Sequence, residues 1–236
     1  MATALDMQVL SKDDKDATMH FHFMKLAIEQ AKMSIPVQSG FCVGAVLVQE
    51  TYPDPNSDFP QEDRFRVVAT GFSRELEGNT HAEECCLLKL EALEAAEQEK
   101  ERELESDVGV GASPASSPIP PSGSKFASSS SPPLPSLSPE MDKQYKLRHP
   151  HPQLKKEWIM YTTMEPCGAR LSGNKPCSER LIEAGIRRVY VGVREPRSFV
   201  KDPCGVEKMI ENGITVVHIP GLEEHCLAPN RHILTL

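Results

Sequence analysis

The chain reads as an α/β protein, a three-layer α/β/α sandwich built on one five-stranded mixed sheet. Three observations carry that reading. Apolar, β-branched runs of strand length recur along the chain, and helix-forming stretches alternate with them in the order α-β-β-α-β-α-β-α-β. From the third strand onward each connection passes through a helix, which suits parallel pairing.

The elements follow in chain order. Residues 1–18 form an N-terminal segment, and the domain proper spans 19–220. In MHFHFMKLAIEQAKMS (19–34), Phe23, Leu26 and Ala27 share one helical face that Gln30 and Ala31 extend; Pro36 and Gly40 stop the helix. FCVGAVLV (41–48) is a strand apolar on both faces, and FRVVATGF (65–72) is its hairpin partner across a connection rich in Pro, Asp and Asn. Thr80 is placed to cap the next helix, with Glu83 three residues later as in a capping box. That helix, HAEECCLLKLEALEAAEQEKERELE, loses its apolar residues near Leu93 and Ala96 and runs on as a charged extension into solvent. EWIMYTT (157–163) is the third strand. PCSERLIEAG is a helix closed by Gly185 at C′, 186–193 the fourth strand, 203–212 a short helix and 214–219 the fifth strand. The tail, 221–236, holds Cys226, Pro229, Asn230 and His232; its role is open.

Residues 106–140 differ in kind. This stretch is dense in Ser, Pro and Gly and buries too little apolar surface to offset its ordering entropy, so it is expected to be a disordered insertion.

Composition narrows the function classes. Hydrophobic residues make up 39% of the chain, enough for a core, and the formal net charge is -8, which gives no overall attraction to nucleic acid or anionic membrane. The N-terminus lacks the basic-then-apolar pattern of a secretory signal, and no apolar run approaches the roughly 20 residues of a membrane span. The 7 cysteines, an odd number, read as free thiols plus metal ligands. The expectation is a soluble, cytoplasmic protein, with the nucleus also open to it.

The chemistry concentrates at four residues. His81 and Glu83 open one helix, while Cys167 and Cys177 flank the loop before another. One histidine and two cysteines suit tetrahedral zinc and leave a fourth position for water, as catalytic sites do. Both groups sit near helix N-termini, where the macrodipole favours thiolates. Two thiolates nearly neutralise the metal, so a neighbouring base is needed for the water proton, and Glu83 is that base. Zinc base deaminases carry H-x-E with P-C-x-x-C. Here His81-Ala82-Glu83 and Glu165-Pro166-Cys167 match, but nine residues rather than two separate the cysteines. Other candidates have bland readings. Cys85 and Cys86 are core thiols; Cys42, Cys204 and Cys226 are packing residues; Glu84 is a solvated helix residue. His20, His22, His149 and His151 fit no ligand spacing.

The extended loop is informative. TMEPCGARLSGNKPC (163–177) resembles the riboflavin-pathway deaminases of the cytidine-deaminase-like superfamily, which carry an elongated loop ending in Pro-Cys between their zinc cysteines. IEAGIRRV (182–189), ENGITV (211–216) and VGAVLV (43–48) share the likeness, which covers about 19–100 and 157–220. It breaks at Ser39-Gly40-Phe41-Cys42, where bacterial members have Pro-Asn-Pro, and at Glu195-Pro196-Arg197, where they have Asp-Pro-Asn. Bacterial members are usually fused to a reductase, for which this chain leaves no room. The resemblance is therefore to the fungal-type stand-alone deaminase, which acts after reduction. It implies a Zn2+ cofactor and hydrolysis of the 2-amino group of 2,5-diamino-6-ribitylamino-4(3H)-pyrimidinone 5′-phosphate, with Glu83 moving the protons. It also implies a homodimer with a phosphorylated pyrimidine substrate and neither nucleic-acid nor membrane partner. The substrate phosphate asks for donors, and Arg170, Ser172, Asn174 and Lys175 lie between the ligands, with Arg170 and Lys175 favoured. Arg194, Arg197 and Lys201 follow the fourth strand at the usual ligand end of such a sheet. Asn79 is equally a pyrimidine contact or a plain turn residue. Two alternatives stay open: a deaminase of another nucleotide or a tRNA base, and a catalytically silent zinc-binding subunit.

Overall fold

The computed structural model describes residues 7–52, 64–108, 155–170, 172–195 and 204–234. They fall in two units, Met1–Ala95 with Lys155–Leu236, and Ala96–Leu154. The first carries the sheet. In the second, the helix from Ala96 to Val108 is described, and the stretch expected to be disordered lies outside the described residues from 109 on.

The elements are β1 (Gln8–Val9), α1 (Ala17–Ala31), β2 (Gly44–Tyr52), β3 (Phe65–Phe72), α2 (Ala82–Val108), β4 (Lys155–Met164), α3 (Cys177–Glu183), β5 (Arg188–Val193), α4 (Gly205–Glu211), β6 (Thr215–His218) and α5 (Glu223–Leu227). The sheet order is β1-β6-β5-β4-β2-β3. β2 pairs antiparallel with both β3 and β4, while β4, β5, β6 and β1 run parallel. The mixed sheet expected from sequence is thus present, with six strands rather than five. The additional strand, β1, is two residues long and pairs Gln8 with Val217. Two residues are too few to show an alternation.

Alternate side chains of each central strand enter opposite cores. Val46, Val48, Ile159, Tyr161 and Tyr190 pack with Phe23, Met24, Ala27 and Ile28 of α1 and Cys226 of α5. Ala45, Leu47, Met160, Val189 and Val191 pack with Ala82, Cys86 and Leu90 of α2, Leu181 of α3 and Met209 of α4. Full burial of each large aliphatic contributes about 1.5–3 kcal/mol, which explains why the strands are apolar on both faces. Leu10, Leu222 and Cys226 belong to the core, so residues before 19 and after 220 contribute to the fold. The buried face of α1 is His20, Phe23, Met24, Ala27, Ile28 and Ala31, one position away from the expected Phe23-Leu26-Ala27 stripe. Helix α3 ends at Ala184, and Gly185 takes the C′ place with φ 67. Close approach decides Gly71: a Cβ there would lie 2.3 Å from the Ala82 carbonyl, so β3 needs glycine for the start of α2 to settle on the sheet.

At the strand ends away from Met164, the fully buried Glu50 meets Arg64 and Arg188, with the Tyr52 hydroxyl 2.8 Å from its carboxylate. No helix of the described residues is long and apolar enough to cross a membrane.

Candidate active site

The site forms where β4 and β5 end, the edge at which parallel sheets place their ligands. β4 delivers Thr162, Thr163 and Met164, and the chain turns through Glu165-Pro166 to Cys167. Cys177 is the first residue of α3, and His81 immediately precedes α2. These three residues bring one nitrogen and two sulfurs within 4.8 Å of one another. His81 Nδ1 lies 3.4 Å from Cys177 Sγ and 3.6 Å from Cys167 Sγ. Bonds of about 2.3 Å to sulfur and 2.0–2.1 Å to nitrogen, at tetrahedral angles, set such atoms about 3.6 Å apart. The donor set therefore fits a zinc-sized ion. The backbone N–H of Cys177 donates to Cys167 Sγ at 3.4 Å, as a helix start can. Hydrogen bonding from Cys177, assisted by His81, holds the Cys167 thiol well below its ordinary range, and Cys177 is pushed up in return.

Glu83, in the first turn of α2, is buried, with Oε1 3.2 Å from the Thr162 hydroxyl. Burial pushes its carboxyl up, against the pull of His81. It lines a pocket of about 220 Å³ together with His81 and Cys167. The opposite wall comes from Ser39, Gly40 and Phe41.

The first turn of α2 is built differently from the expected box. The Thr80 hydroxyl donates to the Leu76 carbonyl, and the carboxylate that reaches back belongs to Glu84, accepting from the His81 N–H at 3.3 Å. Glu84, read from sequence as solvated, is buried and accepts from Arg170 at 2.8 Å and Arg180 at 2.7 Å. Burial alone would raise its carboxyl; the two guanidiniums and the His81 N–H hold it below the ordinary range. One side chain thereby ties the His81 segment, the 168–176 loop and α3 together.

The sequence candidates separate accordingly. Asn79 and Ser172 line the pocket. Arg170 does too, but its guanidinium faces Glu84, the Asn79 carbonyl at 2.7 Å and the Lys175 carbonyl at 3.3 Å. Asn174 is exposed, its N–H 3.4 Å from the Ser172 hydroxyl, and Lys175 pairs with Glu183 at 2.6 Å. Arg197 and Lys201 lie outside the described residues. Glu165 and Glu195 also line the pocket; the sequence marks Glu195 only as the start of the Glu195-Pro196-Arg197 departure and assigns it no role. Burial and then the charges of Cys167 and Glu165 push Glu195 up to about 7. Sequence reasoning missed Arg74, at φ 65, whose guanidinium donates to the Ile35 and Phe41 carbonyls and which carries no sequence pattern of its own.

No family model matches the chain. A C-terminal deletion mutant of the Rib2 deaminase of Aspergillus oryzae is 30% identical to it, with 89% of this chain and 89% of the truncated one covered and a TM-score of 0.55. The chain belongs to the Rib2 deaminase family. A second structure of the Aspergillus Rib2 deaminase, in complex with DARIPP, superposes with a TM-score of 0.56 over 89% of this chain and 88% of that one. The diaminohydroxyphosphoribosylamino-pyrimidine deaminase of Schizosaccharomyces pombe is 29% identical over 209 residues, and this Rib2-family chain spans 34% of its length. The deaminase/reductase of Thermotoga maritima shares the fold, at 24% identity and a TM-score of 0.50 over 93% of this chain and 41% of that one.

Proposed function

We propose that this Rib2-family chain is a zinc-dependent aminohydrolase. It replaces the 2-amino group of 2,5-diamino-6-ribitylamino-4(3H)-pyrimidinone 5′-phosphate by oxygen, releasing ammonia. The observation that carries the reading is the His81-Cys167-Cys177 trio, with the buried Glu83 lining the same pocket as His81 and Cys167. The Aspergillus relative bound to DARIPP supports the substrate class.

His81, Cys167 and Cys177 would hold the zinc, which would supply Lewis acidity and make a water more acidic. Glu83 takes a proton from a water as the C2–O bond forms and gives it to the ring nitrogen. It then takes the proton of the new C2 hydroxyl and passes it to the amine as the C2–N bond breaks. One water is consumed and one ammonia leaves, with no redox change. Burial suits Glu83 to this work, because raising the carboxyl makes it a better proton acceptor than an exposed carboxylate. Thr162 orients the carboxylate through its hydroxyl, and Cys177 N–H steadies the Cys167 thiolate. The proposal includes a homodimer, a cytoplasmic location and no nucleic-acid substrate, the last supported by the net charge of -8.

Ammonia release from the ribitylamino pyrimidine phosphate, its ribosylamino counterpart, CMP and a tRNA anticodon stem tests the reading. Turnover of the ribitylamino compound above the others is expected. Preference for the ribosylamino form would reverse the order of reduction and deamination, and turnover of CMP or tRNA alone would overturn the substrate. Bound zinc without turnover of any of them would leave the silent-subunit reading.

A further inference from the structure

Residues 35–43, between α1 and β2, wall the pocket through Ser39, Gly40, Phe41 and Val43. They belong to no helix or strand, and the isolated Val37–Gly40 bridge is their sole ladder contact among the described residues. Side chains from distant segments set their course instead. Asn230, in the 3-10 turn Ala228–Asn230 after α5, is fully buried. Its Oδ1 accepts from the Cys42 N–H at 2.6 Å, and its Nδ2 donates to the Cys42 carbonyl at 3.2 Å. The same Nδ2 reaches the Cys226 carbonyl at 3.5 Å. A side-chain amide that meets both peptide groups of one residue replaces the strand partner Cys42 lacks. Two residues on, His232 Nε2 lies 3.0 Å from the Val37 carbonyl. From the other side, Arg74 holds the Ile35 and Phe41 carbonyls, and the Ser73 hydroxyl accepts from the Val43 N–H at 3.0 Å.

We propose that Asn230 is a positioning residue for substrate recognition, fixing the 39–43 wall of the pocket by clamping both peptide groups of Cys42. The C-terminal segment is thereby part of the substrate site without lining it. Neither Asn230 nor His232 is among the pocket-lining residues, and the side-chain hydrogen bonds of both go to the 37–42 stretch and to their own segment. The metal-ligand trio and Glu83 stand on α2, the β4–α3 loop and α3. Loss of the clamp therefore acts on substrate binding and spares the metal and the proton transfers. The kinetic part of the inference rests on the proposed function; the structural part does not.

The test compares full-length wild type with Asn230→Asp, Asn230→Ala and His232→Ala. Hydrogen exchange of the 37–43 amides is read without substrate, beside zinc content. The Asp variant keeps the acceptor for the Cys42 N–H but sets an oxygen against the Cys42 and Cys226 carbonyls, so exchange should rise above wild type in both the Asp and the Ala variant. One lost buried hydrogen bond corresponds to about fivefold to tenfold faster exchange. His232→Ala should raise exchange near Val37 alone. Zinc content should be unchanged in all. With the ribitylamino substrate, KM should rise about tenfold in Asn230→Ala while kcat stays within about threefold. Equal exchange across the series, or a fall in kcat at constant KM, overturns the proposal. Should Asn230→Ala not fold, Asn230→Asp and His232→Ala carry the same comparison. Should wild type release no ammonia, the proposed function falls, and exchange at 37–43 still decides the clamp.

Discussion

Glu84 offers the sharpest test of how the metal ligands are held. Replacing it by alanine removes the acceptor shared by Arg170, Arg180 and the His81 N–H. The Arg170 side chain is 2% exposed, so it would be left as a buried cation without its counter-charge, which costs about 3–5 kcal/mol. Arg180 is 29% exposed, and its half of the network contributes at most about 1 kcal/mol. Loss of the bond to the His81 N–H adds about 0.5–2 kcal/mol, the value of a helix cap. Glu84→Ala should therefore lose about 4–8 kcal/mol, read as a lower urea midpoint at unchanged slope. Part of the same loss should appear as weaker zinc binding in a chelator competition, because His81 and Cys177 no longer share an anchor. Adding Arg170→Met should restore stability by removing the unpaired charge. If Glu84→Ala unfolds within about 0.5 kcal/mol of wild type and binds zinc equally well, Glu84 is the solvated residue its sequence context suggested.

The other predictions are shorter. Zinc should copurify at about one per chain, and Cys167→Ser, which removes one of three ligands, should lose it by elemental analysis. Glu83→Gln should keep zinc and lose about 10²–10⁴-fold in kcat; near-wild-type turnover would remove Glu83 from the proton path. Burial alone would push Glu50 up, but Tyr52, Arg188 and Arg64 hold it below its ordinary value of 4.5. A carboxyl lowered in the folded state contributes stability above its unfolded pKa and loses it as pH falls through the folded one. The wild-type urea midpoint should thus decline below about pH 4.5, and Glu50→Gln should flatten that decline; parallel curves would refute it.

What could be read from the residues divides by range. The meeting of His81, Cys167 and Cys177 beside the start of α2 was legible because these residue types sit at element starts, and element starts are marked locally. The central strands were legible because burial on both faces leaves unbroken apolar runs. Glu84 was not, since Arg170 and Arg180 follow it by 86 and 96 positions and nothing near Glu84 anticipates them. The capping box was misplaced by one residue for a local reason: Thr80 and His81 are each followed three residues later by a glutamate. Backbone geometry, with α2 beginning at Ala82, selects the second. The α1 stripe shifted because Phe23, Met24, Ala27 and Ile28 are all apolar, and packing on Val46 and Tyr161 settles which edge turns inward. The Asn230 clamp spans 188 residues and involves a residue type that sequence reading assigns to turns.

The same accounting bears on Arg170, whose position between the zinc cysteines suggests a phosphate contact. Its guanidinium already serves the Glu84 carboxylate and two carbonyls. Turning it toward a substrate phosphate would exchange the Glu84 pair and both carbonyl bonds for the phosphate, leaving Glu84 with Arg180 and the His81 N–H. We therefore expect Arg170 to brace the segments that carry His81 and Cys177 rather than to bind the substrate. Arg170→Lys discriminates, because lysine keeps the charge and loses the planar fork that spans Glu84 and the carbonyls. As a brace, the variant binds zinc more weakly and keeps the wild-type ratio of KM between phosphorylated and dephosphorylated substrate. If that ratio collapses while zinc affinity holds, the guanidinium leaves Glu84 for the phosphate and the brace is secondary.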